Sequence, residues 1–529
     1  MPAIMKNLPL ALVTACALSA AAVVAEETRP PNIVFIMADD LGWMDTGAYG
    51  SSFYQTPNID RLAERGMRFT NAYSASPLCS PTRASLLTGL HPARVGITAP
   101  WGHVGNPNFE ERIAAGAPPH IPELQVGSGG VNRLRHEYYT YAEALKDAGY
   151  RTAHFGKWHV GSAPFSPREQ GFDIDIPHWF GPGPAGAFLA PWQWPANHEF
   201  DRGEPGEHID DRITLEAIDF IKQHRDEPLL INMWPFLVHS PYDSKRDVKA
   251  DKLENFIPRA IEMYQSGYPQ HNAVMGGMVA TFDKNVGRLL DAIDDLGLTD
   301  NTIIIFYSDN GGVTRPPRES YNHPEPVGTI TSNYPLREGK GSVYEGGVRV
   351  PLIVSWPGVT EPGSVSDVLV VSPDFYPTFL EMTGVEAYPG LAFDGRSFVP
   401  ALHGEDYDYG PLFIHFPHGS QRAWEGFQPA TTVRMGDWKL LRFFADTRDQ
   451  SDRLELYNLR QDIGESRNLV AEHPQKALEL NALIDGFLSD TGAAVPRPNP
   501  NFSPEAAEAH FGDDWRNAAR KQNPESLQQ

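Results

Sequence analysis

The sequence predicts an α/β fold: a large, mostly parallel β-sheet sandwiched between helices, followed by a smaller C-terminal α+β domain. Continuous apolar runs, typical of strands buried on both faces of a parallel sheet, alternate with helical patterns over most of the chain. From about residue 405 the pattern changes to short strands joined by a turn, which indicates antiparallel pairing.

The elements of the large sheet follow one another in a regular order. The apolar runs predict buried strands at residues 32–38, 151–155, 229–238, 302–307 and 350–355. The helical patterns predict helices at residues 58–65, 141–148, 212–224 and 273–296. In such sheets, ligands bind at the carboxyl ends of the strands, so we expect the functional residues there.

The N-terminal residues 1–25 are predicted to be a signal peptide. Lys6 precedes an apolar run, and Val23-Val24-Ala25 resembles a cleavage site. The run is short for a membrane span. Alternatively, Val13-Thr14-Ala15-Cys16 resembles a bacterial lipobox, in which Cys16 would carry a lipid. Both interpretations predict an exported protein, periplasmic or secreted, that associates with a membrane only if Cys16 is lipidated.

The rest of the chain divides into three predicted parts. Residues 26–404 form the main α/β domain. Residues 405–491 form the smaller domain, with two strands around a turn at Met435-Gly436-Asp437 and an amphipathic helix at 468–488. Residues 492–529, rich in Pro, Asn and charge, are predicted to be an extended tail.

Composition limits the partners. The chain has 529 residues, of which 41% are hydrophobic, enough for a large core. Its formal net charge of −23 disfavours nucleic acid and anionic membrane surfaces as partners. An anionic substrate would therefore need a local cluster of positive charge or a metal ion.

Cys79 is the only cysteine outside the predicted signal peptide. A thiol without a partner cannot form an intramolecular disulfide. Pro81 suits the first turn of a helix, which would place Cys79 just before a positive helix end, with Arg83 one turn inside. The sequence therefore suggests an anion site around a reactive side chain; the alternative is a small buried apolar residue.

Carboxylates and amides follow two of the predicted strands. Asp39 and Asp40 end the first strand, and Asp309-Asn310 end the strand at 302–307. Four oxygen ligands without His or Cys at metal spacing indicate a hard cation, Ca²⁺ or Mg²⁺. We prefer calcium because it tolerates irregular coordination.

Other polar residues occupy comparable positions. Lys157 and His159 would point to one side of an extended segment. His239 ends another apolar run, and Lys340 lies between two glycines. Taken singly, each also fits a surface lysine or a hydrogen-bonded core histidine.

Together these blocks resemble the type I sulfatases, of arylsulfatase type, which have the alkaline-phosphatase-like fold. The resemblance spans about residues 30–490 and departs from the usual pattern at Thr82, where Ser or Ala is common. Its markers are Ala38-Asp39-Asp40, Cys79-Ser80-Pro81-Thr82-Arg83 with Ser85-Leu86-Leu87-Thr88-Gly89, Gly156-Lys157-Trp158-His159, His239-Ser240-Pro241, Ser308-Asp309-Asn310-Gly311-Gly312, and Gly339-Lys340-Gly341 with Tyr344-Glu345-Gly346-Gly347.

The resemblance implies a cofactor and a maturation partner. Cys79 would be oxidised to Cα-formylglycine by a formylglycine-generating or an anaerobic sulfatase-maturating enzyme. The cation would be held by residue 79 together with Asp39, Asp40, Asp309 and Asn310.

The resemblance also implies a role for each catalytic residue. Arg83, Lys157 and Lys340 would bind the sulfate oxygens. His159 would be the base that triggers the breakdown of the sulfated diol. His239, helped by Lys340, would protonate the leaving alcohol.

The predicted function is hydrolysis of a sulfuric ester, with release of inorganic sulfate through a sulfated formylglycine intermediate. We expect a sulfated carbohydrate rather than a simple aryl sulfate as substrate. Trp179, Trp192 and Trp194 would then offer stacking faces for sugar rings, unless they belong to the core. The alternatives are a phosphonate monoester or phosphodiester hydrolase of the same superfamily and a non-catalytic sulfoglycan-binding protein.

Overall fold

The computed structural model describes residues 29–104, 119–121, 123–124, 131–315, 328–418 and 428–511. The predicted signal peptide, with Cys16, lies outside these described residues. Among the helices in the described ranges, none combines the length and the apolar character needed to cross a bilayer.

A large sheet forms the centre of the structure. Its strands are β1 (Asn32–Ala38), β2 (Met67–Tyr73), β4 (Arg151–Gly156), β5 (Ile174–Ile176), β6 (Leu229–Trp234), β7 (Thr302–Ser308), β8 (Leu352–Ser355) and β9 (Ser364–Val371). They are arranged in the order β5-β4-β6-β1-β7-β8-β2-β9. Only β8 runs antiparallel to its neighbours, which confirms the predicted mostly parallel sheet.

Helices cover both faces of the sheet. They are α1 (Pro57–Arg65), α2 (Cys79–Thr88), α3 (Pro92–Val95), α4 (Tyr141–Asp147), α5 (Ile209–Gln223), α6 (Ala250–Gln265), α7 (Ala273–Asp295), α8 (Glu345–Val348), α9 (Phe375–Thr383) and α10 (Val399–Leu402). Side chains of β1 alternate between two cores: Val34 packs with the core of α1, α5 and α7, and Phe35 packs with that of α2, α4 and α9. Burial on both faces explains why β1 is a continuous apolar run.

The sequence patterns missed several elements. Strands β2 and β9 lie at one edge of the sheet, and their burial alternates along part of their length, so neither forms a continuous apolar run. Helix α6 was also missed; it contains Pro258, which normally argues against a helix interior.

A second, antiparallel sheet follows near the C-terminus, as predicted. Its strands are β10 (Leu412–Phe416), β11 (Ala430–Met435), β12 (Trp438–Phe443) and β13 (Arg453–Asn458), and helix α11 (Pro474–Thr491) packs on it. Met435 pairs with Trp438 around the predicted turn. Helix α11 begins later than expected because Pro474 occupies its first turn.

The segment predicted to be an extended tail is different where the structure describes it. Strand β14 (Arg497–Pro498) pairs with the short strand β3 (Glu123–Leu124), and helix α12 (Pro504–Phe511) follows. Asn499 Nδ2 donates to the Ile121 carbonyl at 2.8 Å, so contacts with a distant loop order this segment. The predicted boundaries at 25, 404 and 491 stay predictions.

A buried ion-pair cluster joins helix α8 to the C-terminal sheet. Lys439 Nζ, on β12, lies 2.9 Å from Glu345 Oε1 on α8 and 2.9 Å from Glu465 Oε1. Glu465 Oε2 also accepts from the Glu345 amide at 2.7 Å. All three side chains are buried, so charge as well as apolar contact holds the domains together.

Candidate active site

The predicted site residues meet at one edge of the large sheet. Strands β4, β6, β1 and β7 are adjacent and parallel, so their carboxyl ends lie side by side. The residues after these ends are Lys157 and His159 (β4), His239 (β6), Asp39 and Asp40 (β1), and Asp309 and Asn310 (β7).

Cys79 faces this edge from the first residue of α2. Its side chain is buried, and its Sγ lies 4.0 Å from Asp40 Oδ1. Burial raises the pKa of the Cys79 thiol to about 12, although Lys157 and Lys340 oppose the shift. The unmodified thiol is therefore protonated at neutral pH and is a poor nucleophile.

The carboxylates converge on the same point. Ligand atoms of Asp39, Asp40, Cys79 and His239 lie within 4.8 Å of one another. Asn310 Nδ2 donates to Asp40 Oδ1 at 2.8 Å, which brings Asn310 into this cluster. The Asp40 amide donates to Asp309 Oδ1 at 3.1 Å. His239 is a member of the cluster that the sequence did not suggest as a metal ligand.

Two oxygens of this cluster fit a cation. Asp39 Oδ1 and Asn310 Oδ1 are buried and have no hydrogen-bond partner in the described part of the chain. Buried acceptors without a partner are costly, and carboxylate and amide oxygens are the ligands that hard divalent cations prefer. The residues present therefore fit a divalent metal ion.

Three cationic side chains pair with the carboxylates. Lys157 Nζ lies 2.7 Å from Asp39 Oδ2, and Lys340 Nζ lies 2.6 Å from Asp40 Oδ2. Arg83 Nη2 lies 2.8 Å from Asp309 Oδ2. Arg83 and Lys157 are completely buried, whereas the Lys340 side chain is 18% exposed. In this structure, then, the three expected sulfate ligands contact carboxylates.

The surrounding charges split the pKa values of the paired carboxyls. Burial raises the pKa of Asp39 well above its usual value, against the opposing charge of Lys157. Burial also acts on Asp40, but Lys340, His239 and Lys157 outweigh it and hold the pKa of Asp40 below its usual value. The neighbouring carboxylates of Asp309 and Asp40 add to the rise at Asp39, whereas several cationic groups act together on Asp40.

Lys340 is placed by a loop that bridges two parts of the site. Its amide donates to the Gly312 carbonyl at 3.0 Å, and the Gly341 amide donates to the Pro77 carbonyl at 2.9 Å. These bonds connect the turn after β7 with the segment before Cys79. The glycine before Lys340 permits a close backbone approach, because a Cβ at Gly339 would lie 2.3 Å from the Gly312 carbonyl oxygen.

His239 is 14% exposed and lies at the rim of the cluster. Its Nε2 is 3.7 Å from Asp40 Oδ2, and its Nδ1 is 2.8 Å from the Ser240 carbonyl oxygen. Burial, together with Lys340 and Lys157, lowers the pKa of His239 well below its usual value.

His159 is buried and has a partner that sequence reasoning missed. Its Nε2 lies 2.9 Å from Nδ1 of His103, and its backbone φ is +62°. Burial, Lys157 and His103 lower the pKa of His159 well below its usual value. His103 lies in the chain after α3, where no sequence periodicity or motif marks it.

The tryptophans expected to stack on sugars are mostly in the core. Trp192 and Trp194 are buried, and their ring centroids are 6.0 Å apart, so both belong to the core, the alternative that the sequence left open. Trp179 is half-buried and packs on Trp194 at 5.4 Å. Gly183, four residues after Trp179, lies against His239. A Cβ at Gly183 would be 3.3 Å from His239 Nδ1.

Comparison with protein families gives two matches. A family model described as "Sulfatase" matches residues 31–385, and one described as "N-sulphoglucosamine sulphohydrolase, C-terminal" matches residues 339–485. The first match covers well over half of the chain and includes the cluster around Cys79.

Individual relatives agree with the family match. A sulfatase of Formosa agariphila is 31% identical over 88% of this chain and 90% of its own length. The N-acetylgalactosamine-6-sulfatase of Sus scrofa is 34% identical over 73% of this chain and 69% of its own. The crystal structure of Ps i-CgsB is 24% identical, with a TM-score of 0.67 over 95% of this chain and all of that one, and it shares the fold. The chain therefore belongs to the sulfatase family and is an enzyme that hydrolyses sulfate esters.

Proposed function

We propose that this sulfatase is an exported, calcium-dependent enzyme that removes sulfate from sulfated carbohydrates, with Cys79 converted to Cα-formylglycine. Membership of the sulfatase family implies a formylglycine and a divalent metal ion. The observation that carries the proposal is the position of Cys79, which lies among the buried carboxylates and within reach of the lysines.

The metal ion would be held by oxygens of Asp39, Asp40, Asp309 and Asn310 and by residue 79. A bound ion would supply positive charge to the carboxylate oxygens, and the ammonium groups of Lys157 and Lys340 would then be available to an anionic substrate. We assign calcium rather than magnesium because the donors come from two strand ends and a helix, an arrangement without strict octahedral symmetry.

Charge balance supports an anionic substrate in spite of the net charge of the chain. Three carboxylates in the cluster face three cations: Asp39, Asp40 and Asp309 against Arg83, Lys157 and Lys340. A divalent ion would therefore make the pocket positive. That local charge attracts a sulfate ester although the whole chain carries a formal −23.

The modified residue 79 would replace a thiol that is protonated at neutral pH. A hydrated formylglycine supplies one hydroxyl for attack on sulfur and a second hydroxyl for the later release of sulfate. Arg83, Lys157 and Lys340 would stabilise the negative charge on the sulfate oxygens. Because Arg83 and Lys157 are buried, water is excluded around their charges. Their electrostatic interaction with the sulfate oxygens would therefore be stronger than in water.

His239 and His159 would transfer protons during the reaction. His239 is partly exposed at the rim, where it can meet the leaving alcohol. A bound sulfate ester would bring negative charge close to His239 and raise its pKa, so that it can act as the acid. His159 is buried deeper and would be the base for the release of sulfate.

The substrate class follows from the relatives and from the leaving-group side of the site. The relative from Sus scrofa is named for N-acetylgalactosamine-6-sulfate chemistry. In this chain His239 lies at the partly exposed rim of the site, where an alcohol can reach it. A sugar alcohol needs such an acid because it is a poor leaving group.

A panel of substrates tests this proposal. We expect the purified enzyme to hydrolyse sulfated mono- and oligosaccharides and nitrophenyl sulfate faster than nitrophenyl phosphodiesters or phosphonate monoesters. A preference for the phosphorus esters would instead favour the phosphonate monoester or phosphodiester alternative. Cys79→Ala should retain the folded structure and lose turnover.

Mass spectrometry of the Cys79 peptide tests the modification. Active enzyme should contain the aldehyde or its hydrate at residue 79, produced by a maturating enzyme of the host. A fully active preparation that contains only the thiol would contradict the proposal. The intact mass of the exported protein would also show whether the chain begins after residue 25 or at an acylated Cys16.

A further inference from the structure

His103 and His159 form a close imidazole pair at the edge of the site. Nδ1 of His103 and Nε2 of His159 are 2.9 Å apart, within hydrogen-bond distance. The ring centroids are 5.1 Å apart, with an interplanar angle of 30°. His159 is buried and His103 is half-buried, so the contact is shielded on the side of His159.

Close backbone contacts hold the segments of the two histidines together. Gly102 forms a parallel bridge with Val160, and a Cβ at Gly102 would lie only 1.8 Å from the His159 carbonyl oxygen. Ser80 Oγ donates to that same carbonyl at 2.7 Å. His159 also has a φ of +62°, a conformation that a non-glycine residue keeps only when its surroundings impose it.

The hydrogen bond between the two rings allows two proton arrangements. A bond between two ring nitrogens needs one N–H and one lone pair. Either His159 donates from Nε2 and keeps the lone pair on Nδ1, or His103 donates and the proton of a neutral His159 sits on Nδ1.

Burial of the opposite nitrogen decides between them. His159 Nδ1 is buried and has no hydrogen-bond partner in the described ranges. A buried N–H without a partner is rarer in proteins than a buried acceptor without one. The neighbouring charges of Lys157 and Arg83 disfavour a doubly protonated ring. The proton of His159 therefore belongs on Nε2.

We propose that His103 is a positioning residue that accepts the Nε2 proton of His159 and so presents the Nδ1 lone pair of His159 as the base. This inference rests on the base role of His159 in the proposed function. It complements His239, whose Nδ1 donates to the Ser240 carbonyl and which therefore presents Nε2. The two histidines thus offer opposite ring nitrogens, each set by its own partner.

Two substitutions separate the hydrogen bond from ring packing. His103→Phe keeps a flat ring beside His159 and removes the acceptor. His103→Asn loses the ring but keeps an amide oxygen near the position of Nδ1. We expect His103→Phe to lower kcat by about 10–100-fold, as for loss of partners that orient metal-bound histidines. The value of kcat/KM should change little, because the alcohol leaves before His159 acts. His103→Asn should recover most of the lost kcat.

His418→Gln is a matched control for the loop. The His418 ring bonds to Thr98 Oγ1 at 2.7 Å and so anchors the same loop without contacting His159 in the described hydrogen bonds. It should leave kcat near the wild-type value. Wild-type kcat in His103→Phe, equal losses in His103→Phe and His103→Asn, or an equal loss in His418→Gln would overturn the proposal.

NMR of the ¹⁵N-histidine-labelled enzyme gives a readout that does not need activity. The signals of His159, assigned by their loss in His159→Gln, should show a protonated Nε2 and an unprotonated Nδ1. In His103→Phe the proton should shift toward Nδ1. A wild-type signal with the proton on Nδ1 would overturn the inference. Full activity of His159→Gln together with the expected tautomer would instead refute only the base role in the proposed function.

Discussion

At the scale of single residues, burial and neighbouring charges have opposing effects on the pKa values of the site. Burial raises the pKa of Cys79 to about 12 and opposes ionisation of Asp39, whereas the ammonium group of Lys340 keeps Asp40 ionised. The side chains with these opposing pKa shifts lie within a few ångströms of one another, which is typical of functional sites.

The proposed acid role of His239 gives a prediction that depends on the leaving group. His239→Ala should lose far more kcat/KM on a sulfated sugar than on nitrophenyl sulfate, because nitrophenol leaves without protonation. General acid catalysis is typically worth about 10²–10⁴-fold, which sets the expected gap between the two substrates.

His159→Ala provides the comparison for that experiment. His159 would act in the release of sulfate, a step common to both substrates that follows departure of the alcohol, so its loss should lower kcat on both substrates to a similar degree. Equal losses of His239→Ala on the two substrates would show that His239 is not the acid.

At the scale of secondary-structure elements, the turns after the strands hold the site together through close backbone contacts. The Gly311 amide, in the turn after β7, donates to the Gly347 carbonyl at 3.0 Å. A Cβ at Gly311 would lie 1.8 Å from the Gly346 carbonyl oxygen. This contact fixes the turn that carries Asp309 and Asn310 against the N-terminus of α8.

Gly311→Ala should therefore weaken both stability and activity. Forcing a methyl group into a packed contact typically costs about 1–3 kcal/mol, and here the backbone of Gly346 would have to move. We expect a lower midpoint of thermal unfolding and a reduced kcat, measured on the same preparation.

Gly486→Ala is the matched control for this prediction. Gly486 lies on the exposed side of α11, and a Cβ there would meet no atom within 4 Å. Alanine is favoured over glycine in helices by about 1 kcal/mol, so this variant should be slightly more stable and fully active. An unchanged Gly311→Ala enzyme would show that the turn has more freedom than the contact implies.

At the scale of the whole molecule, two buried charge clusters connect distant parts of the chain. The first brings the ends of β1 and β7 together with the start of α2 at the proposed metal site. The second joins α8 to the C-terminal sheet through Lys439. We expect the first cluster to make stability depend on the metal ion and the second to make it depend on pH.

Removal of the metal should lower activity and stability together. Chelation would leave the carboxylates of Asp39, Asp40 and Asp309 without the ion, and a ligand present at 100 times its Kd contributes about 2.7 kcal/mol to stability. We expect a lower midpoint of thermal unfolding, restored by calcium more fully than by magnesium. Full activity after exhaustive chelation would contradict the metal site.

Glu465 should make stability depend on pH. Burial, opposed by Lys439, raises its pKa from 4.5 to about 7, so the folded protein binds this proton more tightly than the unfolded chain does. That contribution is complete below about pH 4.5 and is lost as the pH rises through about 7.

Glu465→Gln provides the measurement. The variant keeps a neutral side chain at this position, so its unfolding midpoint should fall less than that of the wild type between pH 4.5 and 7. Identical pH dependence of the two proteins would show that Glu465 does not titrate in this range.

The sequence by itself determined the fold class and most of the site. A strand buried on both faces of a sheet must be apolar throughout, so β1, β6 and β7 were visible as continuous runs. Because parallel strands end at one edge, the polar residues after those runs could be predicted to converge. The domain boundaries and the catalytic roles stay predictions.

Only the tertiary structure decided the features that depend on contacts between distant residues. Strands β2 and β9 are the last two strands on one side of the sheet, and their partial burial leaves no continuous apolar pattern. The contact between His103 and His159 joins residues from separate loops, and neither has a neighbouring motif that predicts it. The pairing of Lys157 with Asp39 likewise arises only when β4 and β1 lie in one sheet. Local sequence patterns indicate burial and periodicity. Which residues contact one another depends on which chain segments the fold brings together.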